Sequence, residues 1–168
     1  MDTLYGEKAR DHIWSLIKDI KVAMMATWDR DRHEAHARPM MALQRDEFDS
    51  TLWFFTGKDS RKAEEVGSAH EALLTYADPK GQAYVSVSGS AVLVDDRTRI
   101  AELWTDYAKI WFPDGVDDPN LTLLRFEAEQ AEFWEAPNAL VRSVSYLKAL
   151  ATGETPDIGR SGAADMRH

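Results

Sequence analysis

Apolar and polar positions alternate along this chain with two different periods, and the places where the period switches mark its elements. From about Thr3 to Ile20, the residues Ile13, Leu16, Ile17 and Ile20 recur at helical spacing and predict an amphipathic helix. Val22 to Trp28 is a short apolar run that reads as a buried strand, and Asp29-Arg30-Asp31-Arg32 is the polar hairpin connection after it. Glu34 to Leu43 resumes as a strand. Pro39 within it cannot donate to a sheet ladder, so an edge or a bulge is expected there, with ladder groups left to face a ligand. Thr51 to Thr56 is aromatic and β-branched and predicts the next strand. A helix opens directly after it, capped by Asp59 or Ser60, and is expected to stop near Gly67.

The second half continues the pattern. Ala72 to Ala77 reads as a strand, Asp78-Pro79-Lys80-Gly81 as a turn, and Gln82 to Val94 as a long strand with Tyr84, Ser86, Ser88 and Ser90 on one face. Gly89 within it suggests a bend or bulge. Asp95-Asp96 caps a further helix expected to carry Ile100, Leu103, Trp104, Tyr107 and Trp111 inward. Leu121 to Phe126 and Gln130 to Trp134 read as two more strands, and a helix begins near Pro137. Residues 1–152 form one domain with N- and C-terminal helices, and 153–168, polar and rich in short residues, a disordered tail. Six or so strands joined by tight turns point to a closed antiparallel barrel rather than to alternating βαβ units.

Composition narrows the possible functions. At 168 residues, 44% apolar and 29% charged, the chain is long enough for one domain with a substantial core. A formal net charge of -9 argues against a nucleic-acid groove or an anionic membrane surface as the principal partner. The absence of cysteine excludes disulfides, thiolate metal sites and cysteine nucleophiles. No run approaches transmembrane length and the amino terminus is too charged for a signal peptide, so a cytoplasmic protein is expected. There is no glycine-rich Rossmann fingerprint and no Walker loop.

The chemistry concentrates in Phe54-Phe55-Thr56-Gly57-Lys58-Asp59-Ser60-Arg61-Lys62. Two cations, Arg61 and Lys62, stand in the first turn of a helix, where the macrodipole already favours acidic side chains. A docked anion reconciles this, with backbone amides, the Ser60 hydroxyl, Arg61 and Lys62 converging on a phosphate. The competing explanation is a pair of solvated cations bonded at helical spacing to Glu64 or Glu65. His33 and His36, three apart on a strand, point to opposite sides and make no metal pair, so no metal site is expected. Ser86, Ser88 and Ser90 are read as a polar sheet face. Asp114, Asp117 and Asp118 are read as an acidic turn lacking the calcium-loop pattern.

Several segments carry a family resemblance. Arg38-Pro39-Met40-Met41, then Phe55-Thr56 and Ser60-Arg61-Lys62, are spaced as in the flavin-binding split barrel of the pyridoxamine 5'-phosphate oxidase superfamily. Lys109-Ile110-Trp111-Phe112-Pro113, Asp118-Pro119-Asn120-Leu121 and Ala131-Glu132-Phe133-Trp134 resemble its bacterial general stress protein 26 branch. The resemblance runs from about Ile13 to Leu150. It implies a mainly β (α+β) fold, a six-stranded antiparallel split β-barrel with flanking helices.

By similarity, the cofactor is flavin mononucleotide (FMN), with FAD as an alternative. Arg38 and Lys62 neutralise its phosphate with Arg61 and Ser60 assisting, Pro39, Met40 and Met41 run along the isoalloxazine edge, and Phe55 and Thr56 contact the ring or ribityl chain. The family often has a glutamine where this chain has Tyr84. The resemblance also implies a homodimer with the flavin at the subunit interface, and Trp111 could cap the flavin face across it. The implied function is a stress-related oxidoreductase acting on an unknown small molecule. The alternatives are a flavin-binding sensor, store or scavenger without turnover, and a related barrel holding haem or a deazaflavin. No catalytic acid or base is assigned. Pyridoxamine phosphate oxidation itself is not expected, because the C-terminal arginine-and-histidine segment that holds that substrate is not evident.

Overall fold

The computed structural model describes residues 3–4, 6–43, 49–137, 148, 150–153 and 159–167. Two-residue periodicity builds most of it. In β4 (Thr51–Gly57) and β5 (Glu71–Asp78) every second side chain is buried, and β2 (Val22–Asp29) and β6 (Ala83–Val94) follow the same rule over most of their length. With β3 (Glu34–Met41) and β7 (Leu121–Glu135) these are the six strands of an antiparallel split barrel. Hydrogen bonding runs β7-β6-β5-β2-β3, and β4 pairs with the first half of β7. The curl brings the residues after β3 back to β4, where the Leu43 amide donates to the Trp53 carbonyl at 2.7 Å.

α1 (Gly6–Ile20) begins three residues later than its pattern predicts, and Thr3–Leu4 is instead a short strand, β1. Its apolar stripe places Ile13 and Ile17 in the main core with Met25, Phe54, Leu74, Val87, Phe126 and Phe133. A second cluster lies on the opposite face of β4 and β7, where Ile100, Phe112, Leu121 and Leu123 pack with Trp53, Phe55 and Trp104. Leu121 to Leu124 are therefore buried on both faces. Pro39 sits on an edge strand, as expected, since among the described residues β3 pairs with β2 alone. The β6–β7 register shifts between Ser88 and Gly89. A Cβ at Gly89 would lie 2.0 Å from the Glu127 carbonyl oxygen, which explains the glycine.

Four expectations need correction. Leu121 to Trp134 is one continuous strand, because the acidic residues Glu127 and Glu129 occupy its exposed side while Ala128 between them is buried. Residues beyond Gly153 are not simply a disordered tail: β8 (Arg160–Asp165) pairs antiparallel with β7 and parallel with β1. Its small inward residues, Gly162 and Ala164, hide a two-residue period from a hydrophobicity reading. α2 (Arg61–Ala69) runs past Gly67 and is ended by His70, whose φ is 61°. α3 (Arg97–Leu103) stops before the extended Trp104, so Tyr107 and Trp111 leave its inward face and are 54% and 61% exposed. The helix expected from near Pro137 falls mostly on 138–147, outside the described residues.

Candidate functional site

The start of α2 is built locally. Ser60 is its N-cap, in extended geometry, and its Oγ accepts from the Ala63 amide at 3.2 Å while lying 3.2 Å from the Thr56 hydroxyl. The preceding turn is fixed from a distance by Asn120. Its carbonyl accepts from the Lys58 amide at 2.8 Å, and its Oδ1 accepts from the Asp59 amide at 3.2 Å. Across from α2, alternate residues of β3 direct His36, Arg38 and Met40 inward, while Pro39 and Met41 face outward and are exposed.

Lys62 reaches from α2 to this inner face of β3, its ammonium 3.2 Å from the Met40 sulfur. Burial pushes its pKa down to about 8, and the neighbouring Arg38 charge adds to the shift. Among the described residues no carboxylate pairs with it.

One turn further, Glu65 is 4% exposed and gathers partners from two strands. One of its oxygens accepts from Arg38 at 2.6 Å and from the Thr27 hydroxyl, and the other lies 3.0 Å from His36 Nδ1. Arg38 also donates to Thr27. Burial alone would raise the Glu65 carboxyl. Hydrogen bonds from Thr27, Arg38 and His36, with the Arg38 charge, outweigh it and hold the group below its ordinary value.

The residues singled out in the sequence therefore divide. Arg38, Met40 and Lys62 converge between β3 and the start of α2, where Lys62 follows the Ser60 cap by two residues in sequence. Arg61 is exposed, and neither it nor Lys62 forms an ion pair with Glu64 or Glu65 among the described residues. Phe55 lies on the opposite side of β4 from Thr56 and packs on Trp104, centroids 5.7 Å apart. Trp111 stands in solvent, edge-on to Tyr107 at 5.2 Å. Glu65 and Thr27 were missed. The signal for Glu65 was its place three residues after Lys62, which turns both side chains toward the same strand.

The pyridoxamine 5'-phosphate oxidase-like family model matches residues 8–157. The chain belongs to that family. Over 89 residues, 51% of this chain, it is 34% identical to general stress protein 26 of Bacillus subtilis (strain 168), and the match spans 63% of that protein. A general stress protein 26 structure from Jannaschia sp. CCS1 superimposes with a TM-score of 0.72 at 25% identity, covering 94% of this chain and 98% of that one. The general stress FMN/FAD binding protein of Xanthomonas citri gives a TM-score of 0.66 at 28% identity, covering 77% of this chain and 89% of that one. Family membership and the split barrel thus agree, and the chain is similar to general stress protein 26 over part of that protein's length.

Proposed function

We propose that this family member binds FMN, its phosphate resting where Lys62, Arg38 and the Ser60 cap converge, and serves as an oxidoreductase on a small molecule. The observation that carries this is Lys62, a half-buried ammonium with a depressed pKa whose neighbours are a thioether and a second cation. Such a group is stabilised by a dianion, as each charge-assisted bond is worth about 1.5–3 kcal/mol. The FMN/FAD binding of the Xanthomonas citri protein supports the choice of ligand.

In this reading the residues fit the group with one adjustment. Arg38 is engaged by Glu65 and Thr27, so it contributes its field and its remaining N–H groups rather than a bare guanidinium. The outer edge of β3 from Pro39 to Met41 has no strand partner among the described residues and offers backbone polar groups to a planar ring. Bound flavin supplies the hydride or electron chemistry, and the protein supplies position and electrostatics.

A homodimer goes with this function. The outward residues Val22, Met24, Trp28, Met41 and Leu73 are apolar and 36–47% exposed, a face suited to a second copy.

The test is FMN titration followed by flavin fluorescence and absorbance. The native chain should bind FMN at micromolar concentration or better, and the double change Arg61→Glu, Lys62→Glu should weaken binding at least a hundredfold, about 2.7 kcal/mol, with the fold intact. Reduction of the bound flavin by NAD(P)H and reoxidation by an added acceptor would support turnover. A chain that ignores FMN at high micromolar concentration would sink the proposal.

A further inference from the structure

On the side of Glu65 away from Arg38 lies a second constellation that flavin binding does not use. Donor atoms of Asp29, at the end of β2, His36, on β3, and Glu65, on α2, lie within 4.8 Å of one another. We propose that these three residues form a site for a divalent transition-metal ion, zinc(II) by preference, with solvent completing the shell.

Each would-be ligand is already oriented by an outer partner. One Glu65 oxygen is held by Arg38 and Thr27, which turns the other toward His36 Nδ1 at 3.0 Å. Asp29 Oδ1 accepts from the Asp31 and Arg32 amides, both at 3.0 Å, leaving Oδ2 as the ligand oxygen. His36 Nε2 lies 3.5 Å from the Glu34 carboxylate, so its far nitrogen faces an acid, as in carboxylate–histidine–zinc arrangements. Zinc with bonds of about 2.1 Å sets tetrahedral ligand atoms roughly 3.4 Å apart. The His36–Glu65 pair, at 3.0 Å, is already close to that spacing, and Asp29, within 4.8 Å of both, would close by up to roughly 1.4 Å.

The site has a floor and an entrance. Glu65 is 3% exposed at its side chain, while Asp29 and His36 are 17% and 25% exposed, so an ion can enter from the hairpin side. Two cations oppose it. Arg38 lies on the far Glu65 oxygen, and Arg32 Nε is 3.8 Å from Asp29 Oδ2. One imidazole and two carboxylates still suit zinc better than calcium or magnesium, which take oxygen alone.

The experiment is isothermal titration of the chelator-treated full chain with zinc chloride. His36→Ala and Asp29→Asn serve as variants, with circular dichroism to verify their folds. One ion per chain is expected, with affinity at least tenfold weaker in each variant. Absence of binding, or binding that His36→Ala leaves unchanged, overturns the site. Should a variant unfold, nuclear magnetic resonance of the native chain decides: His36 ring signals must move on adding zinc, and unmoved signals overturn it. The result is independent of FMN binding.

Discussion

At the residue scale, Lys62 gives the site its electrostatic character. Its pKa of about 8 in the folded chain lies below the ordinary 10.5. Below pH 8 both folded and unfolded chains carry the proton, and the folded state bears the full cost of burying it. Between about 8 and 10.5 the unfolded chain holds a proton the folded one lacks, so this group makes stability rise with pH. Relative to Lys62→Met, the native chain should gain on the order of 2 kcal/mol from pH 7.5 to 10.5 in urea unfolding. Saturating FMN should flatten that gain by restoring the ammonium. A flat difference without ligand would mean that Lys62 is solvated. Ser60, Arg61 and Lys62 were legible because capping and helix-start charge are local properties. The partners of Glu65 were not, since Thr27, Arg38 and His36 lie 38, 27 and 29 residues away.

At the element scale, the β6–β7 pair shows what a period-two pattern reveals and conceals. Tyr84, Ser86 and Ser88 announced their shared face, and Gly89 its bulge. The physical reason for the glycine appears only when Glu127 and Phe126 close on it, at 2.0 and 2.9 Å from a would-be Cβ. A backbone carbonyl cannot swing away as a flexible side chain can. Gly89→Ala should therefore cost about 3 kcal/mol in chemical denaturation; a loss under half that would show that the bulge relaxes. The sequence pattern divides β7 into two strands because its acidic residues resemble a turn, whereas β4, β6 and β8 pair along its length. β8 went unseen because glycine and alanine bury well yet score as neutral.

At the scale of the whole molecule, the barrel leaves a face that its own core does not cover. Val22 lies opposite Met41 and Met24 opposite Pro39 across the β2–β3 ladder, with Val22, Met24 and Met41 42–47% exposed. Tyr84 and Trp134 form a further outward pair across β6 and β7, 42% and 44% exposed. Met24→Glu places a charge at the centre of the first group. If the proposed homodimer forms across this face, it should shift the mass by light scattering from dimer to monomer with unchanged circular dichroism, and weaken FMN binding if the flavin lies between subunits. An unchanged mass would remove this face from the interface. No helix among the described residues is long and apolar enough to cross a membrane.

By itself, the sequence determined the run of strands and helices from α1 to β6, the proline edge, the glycine bulge and the capped, cationic helix start, because each depends on neighbours along the chain. Only the tertiary structure decided that Lys62 is left with a thioether while Arg38 is taken by Glu65, and that Asp29, His36 and Glu65 meet. Those outcomes depend on which strand lies beneath which helix. That is fixed by burial of the common core, and pairing distance in space carries no trace in sequence spacing.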